Sequence, residues 1–349
     1  LAVVEKSELS IGTMYEIAYK NDILLSATIE LLTKCNWRCK HCYIPTHDHG
    51  GLKTEEVFSI LEEIREMGTL ELTLTGGEIL LRRDILEIIK KARELHFRVY
   101  LFSNASLLNE KIIKELKQYH ITQFSCTVFS MDSAIHDSVT GVRGSLKKVL
   151  ENIKLLQKYN ISVEVKTPIM SINKFEYKSL KVYCAENGIK YGATPTIFSR
   201  INGDHSTHLL RLSKEELREV MSDLDEMSGF NKSKRVFGKE PCTILRYIAA
   251  IDTYGNVFPC NSFYYKIGNI HESSLRDIWE NSKELQYIKN ISNDDLQECS
   301  ECDLKNLCNR CPGIAYLEDN DLLGCSTLAK DIAVTRCNLY CEGGCNHAI

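Results

Sequence analysis

Three thiols in the stretch Cys35-Asn36-Trp37-Arg38-Cys39-Lys40-His41-Cys42 follow the spacing C-x3-C-x2-C. Such a set can hold three irons of a four-iron cluster and leave the fourth iron open to a small molecule. Completed by His41 or His47, the same thiols could instead make a zinc site. Ten of the fifteen cysteines lie from Cys242 onward. There Cys242-x12-Gly255-x4-Cys260 is followed by Cys299-x2-Cys302-x5-Cys308-x2-Cys311 and then by Cys325. The pairs Cys299/Cys302 and Cys308/Cys311 also have spacing that zinc accepts. Cys337, Cys341 and Cys345 would share a face of a helix, but Gly343-Gly344 discourages one. Cys126 and Cys184 fall in apolar segments and read as small buried hydrophobes.

The first trio must be presented by a regular scaffold, and the chain supplies one. Ser26 to Leu32 reads as a strand running into the cysteine loop. Thr54 is the expected cap of a helix to Met67, with Val57, Leu61 and Ile64 on one face. Strands then follow at Leu70–Leu74, Phe97–Phe102, Ile121–Val128, Ile161–Pro168 and Ile189–Thr196. Helices alternate with them: Asp84–Leu95, Asn109–Tyr119, Ser145–Lys158 and Lys174–Glu186. Strand–helix units at roughly 30-residue spacing imply parallel strands with right-handed crossovers. The expected fold class is α/β, a partial (β/α)6 TIM-like barrel followed by a small cysteine-rich domain. Polar or glycine-rich residues close strands one to three, where such folds place ligands.

Residues 1–25 read as an extension with weak alternation, Tyr15 and Tyr19 serving packing or a strand. The barrel is expected over 26–230, a linker over 231–241, and the cysteine-rich region over 242–349, held by its ligands rather than by a large core. Ser213 would cap a helix to about Met227. The 349 residues carry a net charge of -4, which argues against a nucleic-acid surface. The run Leu1-Ala2-Val3-Val4-Glu5-Lys6 is no secretory leader, and no apolar run suits a membrane span. With an odd number of closely spaced thiols, metal in a reducing cytoplasm is expected before disulfides.

The cysteine loop resembles the defining motif of the radical S-adenosylmethionine (radical SAM) superfamily, with His41 at the usual aromatic position. Gly76-Gly77-Glu78 after the second strand resembles the Gly-Gly-Glu motif that meets the methionyl amine of S-adenosylmethionine in that family. The resemblance implies a [4Fe-4S] cluster on Cys35, Cys39 and Cys42, and reductive cleavage of S-adenosylmethionine to a 5'-deoxyadenosyl radical. It further implies that Ser103, Asn104, Ser125 and Arg143 help to bind the cofactor. The C-terminal cysteines resemble a SPASM domain, one residue short of its usual spacing between Cys308 and Cys311. By that resemblance Cys299, Cys302, Cys308 and Cys325 hold one auxiliary [4Fe-4S] cluster. Cys242, Cys260 and Cys311 hold the other, with Cys337, Cys341 or Cys345 as the favoured source of its fourth ligand.

Three clusters are therefore expected. Radical SAM enzymes with SPASM domains modify ribosomally made peptides by crosslinking, oxidation or epimerisation, and His136-Asp137-Ser138-Val139-Thr140-Gly141 resembles that maturase group. The expected partners are a peptide or small protein substrate and a flavodoxin or ferredoxin electron donor. With 25 residues before the first strand, leader binding would need a separate recognition protein, further N-terminal sequence or a different recognition mode. The competing readings are oxidative decarboxylation of a tetrapyrrole, as in haem biosynthesis, and a metal-stabilised peptide-binding protein with no activity. The catalytic acid or base is not singled out by any spacing.

Overall fold

The computed structural model describes residues 10–230 and 240–341, so Cys345 and most of the expected linker lie outside the described residues. Six strands form in the expected places: β1 (Ser26–Glu30), β2 (Glu71–Thr75), β3 (Arg98–Phe102), β4 (Gln123–Thr127), β5 (Val163–Pro168) and β6 (Lys190–Thr194). Each pairs in parallel with the next. Register puts Ile29, Leu74, Leu101, Phe124 and Val163 on one face, where all are buried in the main core. The opposite face carries Glu30, Thr75, Phe102, Ser125, Glu164, Lys166 and Gly192. A two-residue period thus divides each strand between an apolar outside, covered by helices, and a polar barrel interior.

The helices are α1 (Ile11–Lys20), α2 (Thr54–Glu66), α3 (Ile85–Glu94), α4 (Glu110–Gln118), α5 (Ser133–Thr140), α6 (Ser145–Lys158), α7 (Glu176–Glu186) and α8 (Lys214–Ser228), followed by α9 (Leu275–Asn281), α10 (Lys283–Asn290), α11 (Gln297–Ser300), α12 (Pro312–Asp319) and α13 (Thr327–Tyr340). Asn109 and Ser213 cap α4 and α8 as expected. Thr54 does not cap α2: Lys53 holds that position, and the Thr54 hydroxyl donates to Asp84 at 2.6 Å. Residues 11–20 are helical, so that Tyr15 and Tyr19, read as packing or strand residues, lie on a helix. Ser10 accepts from the Thr13 N–H, and Tyr15 packs edge-on to Tyr247 at 5.3 Å while its hydroxyl donates to Glu71. The short helix α5, which the sequence reading passed over, is capped by Asp132 and ended by Gly141 in the left-handed region.

The cysteine-rich region is not held by ligands alone. Its first strand, β7 (Ile248–Ile251), pairs in parallel with the free side of β1, and β8 (Asn256–Phe258) and β9 (Gly268–Asn269) continue the sheet antiparallel. The result is one nine-stranded sheet in the order β6-β5-β4-β3-β2-β1-β7-β8-β9. Ala249, Ile251, Val257, Phe263 and Ile267 are buried in the same core as Ile29 and Leu72.

A second attachment joins α13 to α8. Arg336 is buried and donates to both oxygens of Asp225, at 2.6 and 3.0 Å, and to the Leu307 carbonyl at 2.9 Å. Its guanidinium lies 3.8 Å from the centroid of the Phe230 ring. Removing one partner of a buried pair strands the other charge. Asp225→Ala is therefore expected to lower unfolding stability by about 3–5 kcal/mol in urea titrations, with near-normal behaviour restored in a variant where Asp225 and Arg336 are both made apolar.

Candidate active site

The cysteine loop leaves β1 and is fixed at once by backbone contacts. The N–H groups of Leu31, Gly77 and Glu78 donate to the carbonyls of Thr75, Leu32 and Lys34, each at 2.8 Å. This approach is closer than any side chain would permit. A Cβ on Gly77 would lie 2.2 Å from the Lys34 carbonyl oxygen, and one on Gly76 would lie 2.3 Å from that of Leu32. Gly76 also adopts φ +134°, a conformation open to glycine. From the other side, the end of α5 accepts hydrogen bonds from the loop: Arg38 N–H to Thr140 O and Lys40 N–H to Val139 O, both 3.0 Å. Trp37 is buried in the loop and meets the His136 ring edge-on at 5.9 Å.

Cys35, Cys39 and Cys42 line one cavity of about 190 Å³ at the barrel mouth, together with Gly76, Gly77, Ser103, Asn104 and Ser125. Burial pushes the Cys39 and Cys42 thiols up, Cys42 to about 11, and the charges of neighbouring thiols add to the shift. Three free thiols facing the same space are a donor set that a cationic cluster would deprotonate. The Trp37 N–H and the Asn104 amide approach the Cys35 sulfur at 3.4 and 3.9 Å, contacts that favour thiolate. Among the described residues no three His, Cys, Asp or Glu side chains close on a single metal ion. His41 also lines the space, packed edge-on to Phe129 at 5.0 Å, and its Nδ1 has no partner.

Two of the residues singled out from sequence stand away from this cavity. Glu78 is fully buried, and its carboxylate accepts from Ser103 Oγ at 2.8 Å, the Asn104 N–H at 2.7 Å and the Leu80 N–H at 2.9 Å. It thereby sets Ser103 and Asn104 at the cavity wall. Arg143 is exposed between α5 and α6 and lines no part of the mouth. Ser125 faces the cavity but donates to Glu164 at 2.8 Å.

The mouth opens into a second chamber of about 500 Å³, with His41, Tyr43, Thr75, Phe102, Thr127 and Lys166 on the shared wall. The chamber is bounded by the ends of β5 and β6 and by Asn261, Ser262 and Tyr264 from the C-terminal region. Lys166 Nζ sits 4.4 Å over the Phe102 ring and 3.3 Å from Glu164. Tyr43, Thr75, Phe102 and Tyr264 were not singled out from sequence. The two-residue period at the strand ends would have found Thr75 and Phe102, whereas nothing local marks Tyr264.

Cys299, Cys302, Cys308 and Cys325 line one cavity of about 420 Å³, which Cys242 also borders. Burial lifts Cys242 to about 11 and Cys260 to about 12, the charge of nearby Cys311 adding to both. Cys337, on α13, is disulfide-bonded and so, contrary to the expectation of a ligand, offers no free thiol; with Cys341 at the helix end it packs beside Cys302 and Cys308. Cys126 and Cys184 are buried in the core. No helix among the described residues is long and apolar enough to cross a membrane.

Residues 29–186 match the model of the radical SAM superfamily, and residues 242–312 match that of an iron-sulfur cluster-binding domain, SPASM. An AdoMet-dependent heme synthase of Methanosarcina barkeri is 25% identical over 84% of this chain and 93% of its own length. The sporulation killing factor maturation protein SkfB of Bacillus subtilis is 25% identical over 85% of this chain and 71% of its own. Streptococcus suis SuiB, solved bound to precursor peptide SuiA, superposes with a TM-score of 0.67 at 16% identity, covering 88% of this chain and 80% of that one.

Gly77→Ala places a methyl group against two backbone carbonyls, and is expected to cost about 1–3 kcal/mol of stability together with most of the iron bound at the barrel mouth. Urea unfolding and iron analysis of the isolated variant check this. Burial between Trp37 and Phe129 holds the His136 imidazole down at about 4. The unfolded chain takes up this proton near pH 6.5, whereas the folded chain resists it. Stability is complete above about pH 6.5 and falls toward pH 4, by up to about 3 kcal/mol. Unfolding of wild type and His136→Asn across that range should show this component only in the wild type.

Proposed function

The chain belongs to the radical SAM superfamily, with a SPASM iron-sulfur domain following its barrel, and on that premise we propose that it abstracts hydrogen from a peptide in the maturation of a ribosomally made product. The observation that carries the substrate class is the chamber. It adjoins the cysteine cavity, and its lining residues include a single lysine and no arginine, the lysine being already beside Glu164. A peptide backbone and apolar side chains suit such walls. A tetrapyrrole bearing several carboxylates would call for more cations. The match with the heme synthase over nearly its whole length keeps tetrapyrrole decarboxylation as the second reading.

In the proposed arrangement Cys35, Cys39 and Cys42 hold a [4Fe-4S] cluster whose open iron takes S-adenosylmethionine. When bound, this pair supplies a 5'-deoxyadenosyl radical. The chain's own part is positional. Gly76 and Gly77 bring the β2 backbone up to the mouth, Ser103 and Asn104 offer polar groups held by Glu78, and Phe102 and Phe129 line the mouth with apolar surface. Confining the reaction in a walled cavity limits quenching by water.

Cys299, Cys302, Cys308 and Cys325 are proposed to hold one auxiliary cluster, and Cys242, Cys260 and Cys311 another. Cys337 and Cys341 then support the first of these, and Cys345 remains a candidate fourth ligand for the second. A flavodoxin or ferredoxin is the proposed electron donor, and a separate protein the proposed leader reader.

Anaerobically reconstituted protein should bind about twelve irons per chain, four for each cluster, and should release 5'-deoxyadenosine on addition of S-adenosylmethionine and dithionite. Cys35→Ala should lose about one third of the iron and all of the 5'-deoxyadenosine. Cys302→Ala should lose a similar share of iron and keep S-adenosylmethionine cleavage. A wild type that holds zinc in place of iron, or that cleaves no S-adenosylmethionine at full iron content, would overturn the proposal.

A further inference from the structure

The cysteine loop carries charges that the arrangement above leaves unused. Lys34, Arg38 and Lys40 are exposed and alternate along the chain with the partly buried Cys35 and Cys39. The turn between α5 and α6 lies against this loop. The Arg38 and Lys40 N–H groups donate to carbonyls at the end of α5, and a Cβ on Gly141 would stand 3.5 Å from the Arg38 carbonyl oxygen. Gly141 and Gly144, both in the left-handed region, bend the chain around Arg143, and α6 opens soon after with Lys147 and Lys148. Those three cations are exposed as well.

Among the described residues none of the six forms an ion pair. Exposed lysines elsewhere do find carboxylates, as Lys20 finds Glu16 and Lys178 finds Asp223. Of the acids close by, Asp137 is spent on the N–H groups of Gly144 and Leu146, and Asp48 sets one charge against six. In a chain of net charge -4 this is a concentrated field of one sign. The rim of the C-terminal thiol cavity differs, since Glu240 and Glu298 stand there beside Lys305 and Lys330.

We propose that the cysteine loop and the α5–α6 turn form the docking surface for an acidic electron-donor protein of the flavodoxin type. The surface rests on the radical reading above and gives its electron donor a place to bind. Electron transfer weakens steeply with distance, so a donor has to come close to the thiols that hold the iron. A protein seated on Lys34, Arg38 and Lys40 lies within one or two residues of Cys35 and Cys39. Opposite charge steers encounter and fixes orientation more than it adds affinity, which suits a donor that must leave after each delivery. The step is a single electron: the donor's reduced flavin is oxidised by one and the cluster on the loop is reduced by one. No covalent bond forms or breaks, and no proton has to cross.

The test uses the full, reconstituted protein, with an oxidised acidic flavodoxin as probe and surface plasmon resonance to follow binding. Binding to wild type should weaken at least about tenfold as salt rises from about 0.05 to about 0.5 M. At low salt Lys147→Glu/Lys148→Glu should bind about tenfold more weakly than wild type, chiefly through slower association. Arg276→Glu/Lys283→Glu changes the net charge equally. It lies on α9 and α10, where Trp279 meets Asp22 ahead of β1, and should bind as wild type does. With reduced flavodoxin, the visible absorption of the cluster should fade more slowly in Lys147→Glu/Lys148→Glu alone. Both double variants should keep their iron and their dithionite-driven 5'-deoxyadenosine, which shows each to be folded and loaded. No binding to wild type, binding indifferent to salt, binding unchanged in Lys147→Glu/Lys148→Glu, or an equal fall in both double variants would overturn the docking surface. Failure of the radical reading is seen separately, as wild type that yields no 5'-deoxyadenosine with dithionite.

Discussion

The site depends on two backbones lying closer together than side chains allow. Where β1 passes into the cysteine loop, the carbonyls of Leu32, Thr33 and Lys34 press on Gly76 and Gly77. Three hydrogen bonds of 2.8 Å lock the two segments in register. With the loop pinned there and held by the end of α5 on its other side, the three thiols face one cavity with little freedom to turn away. Glu78 extends the same logic. Its buried carboxylate binds the end of β3 through Ser103 and Asn104, so three strand ends are tied into one wall.

Much of this was legible in the sequence because it is local. Alternation in Leu70-Glu71-Leu72-Thr73-Leu74, the caps Asn109 and Ser213, and the spacing of Cys35, Cys39 and Cys42 are each read within a few residues. The radical SAM and SPASM matches agree with the family read from those spacings. The helix over residues 11–20 was not read although Ile11, Met14, Tyr15 and Ala18 fall at helical intervals, because about two turns of pattern compete poorly with weak alternation. Helix α5 was passed over because it is short and ends in β-branched Val139 and Thr140.

What no local pattern could supply was the meeting of distant segments. The chamber joins Tyr43 to Tyr264 and the strand ends to Asn261 and Ser262, more than sixty residues beyond β6. The role of Glu78 was likewise hidden. A carboxylate after two glycines reads as a ligand for a cation, whereas here it is spent on backbone N–H groups and a serine. The reading of the C-terminal region as ligand-held failed for the same reason, since its apolar residues find their core only by joining β1.

That junction also bears on how the molecule is made. On a ribosome, β1 emerges early and gains β2 soon afterwards, yet its other flank waits for β7, some two hundred residues later. Until then the nascent barrel carries a bare edge of unpaired backbone groups next to its reactive thiols, an invitation to wrong pairing between chains. Final closure is a long-range contact and so a slow one. A cell making this protein faster than β7 can dock would be expected to accumulate aggregates, and slower synthesis, by giving the edge time to be covered, would improve the yield of folded chains.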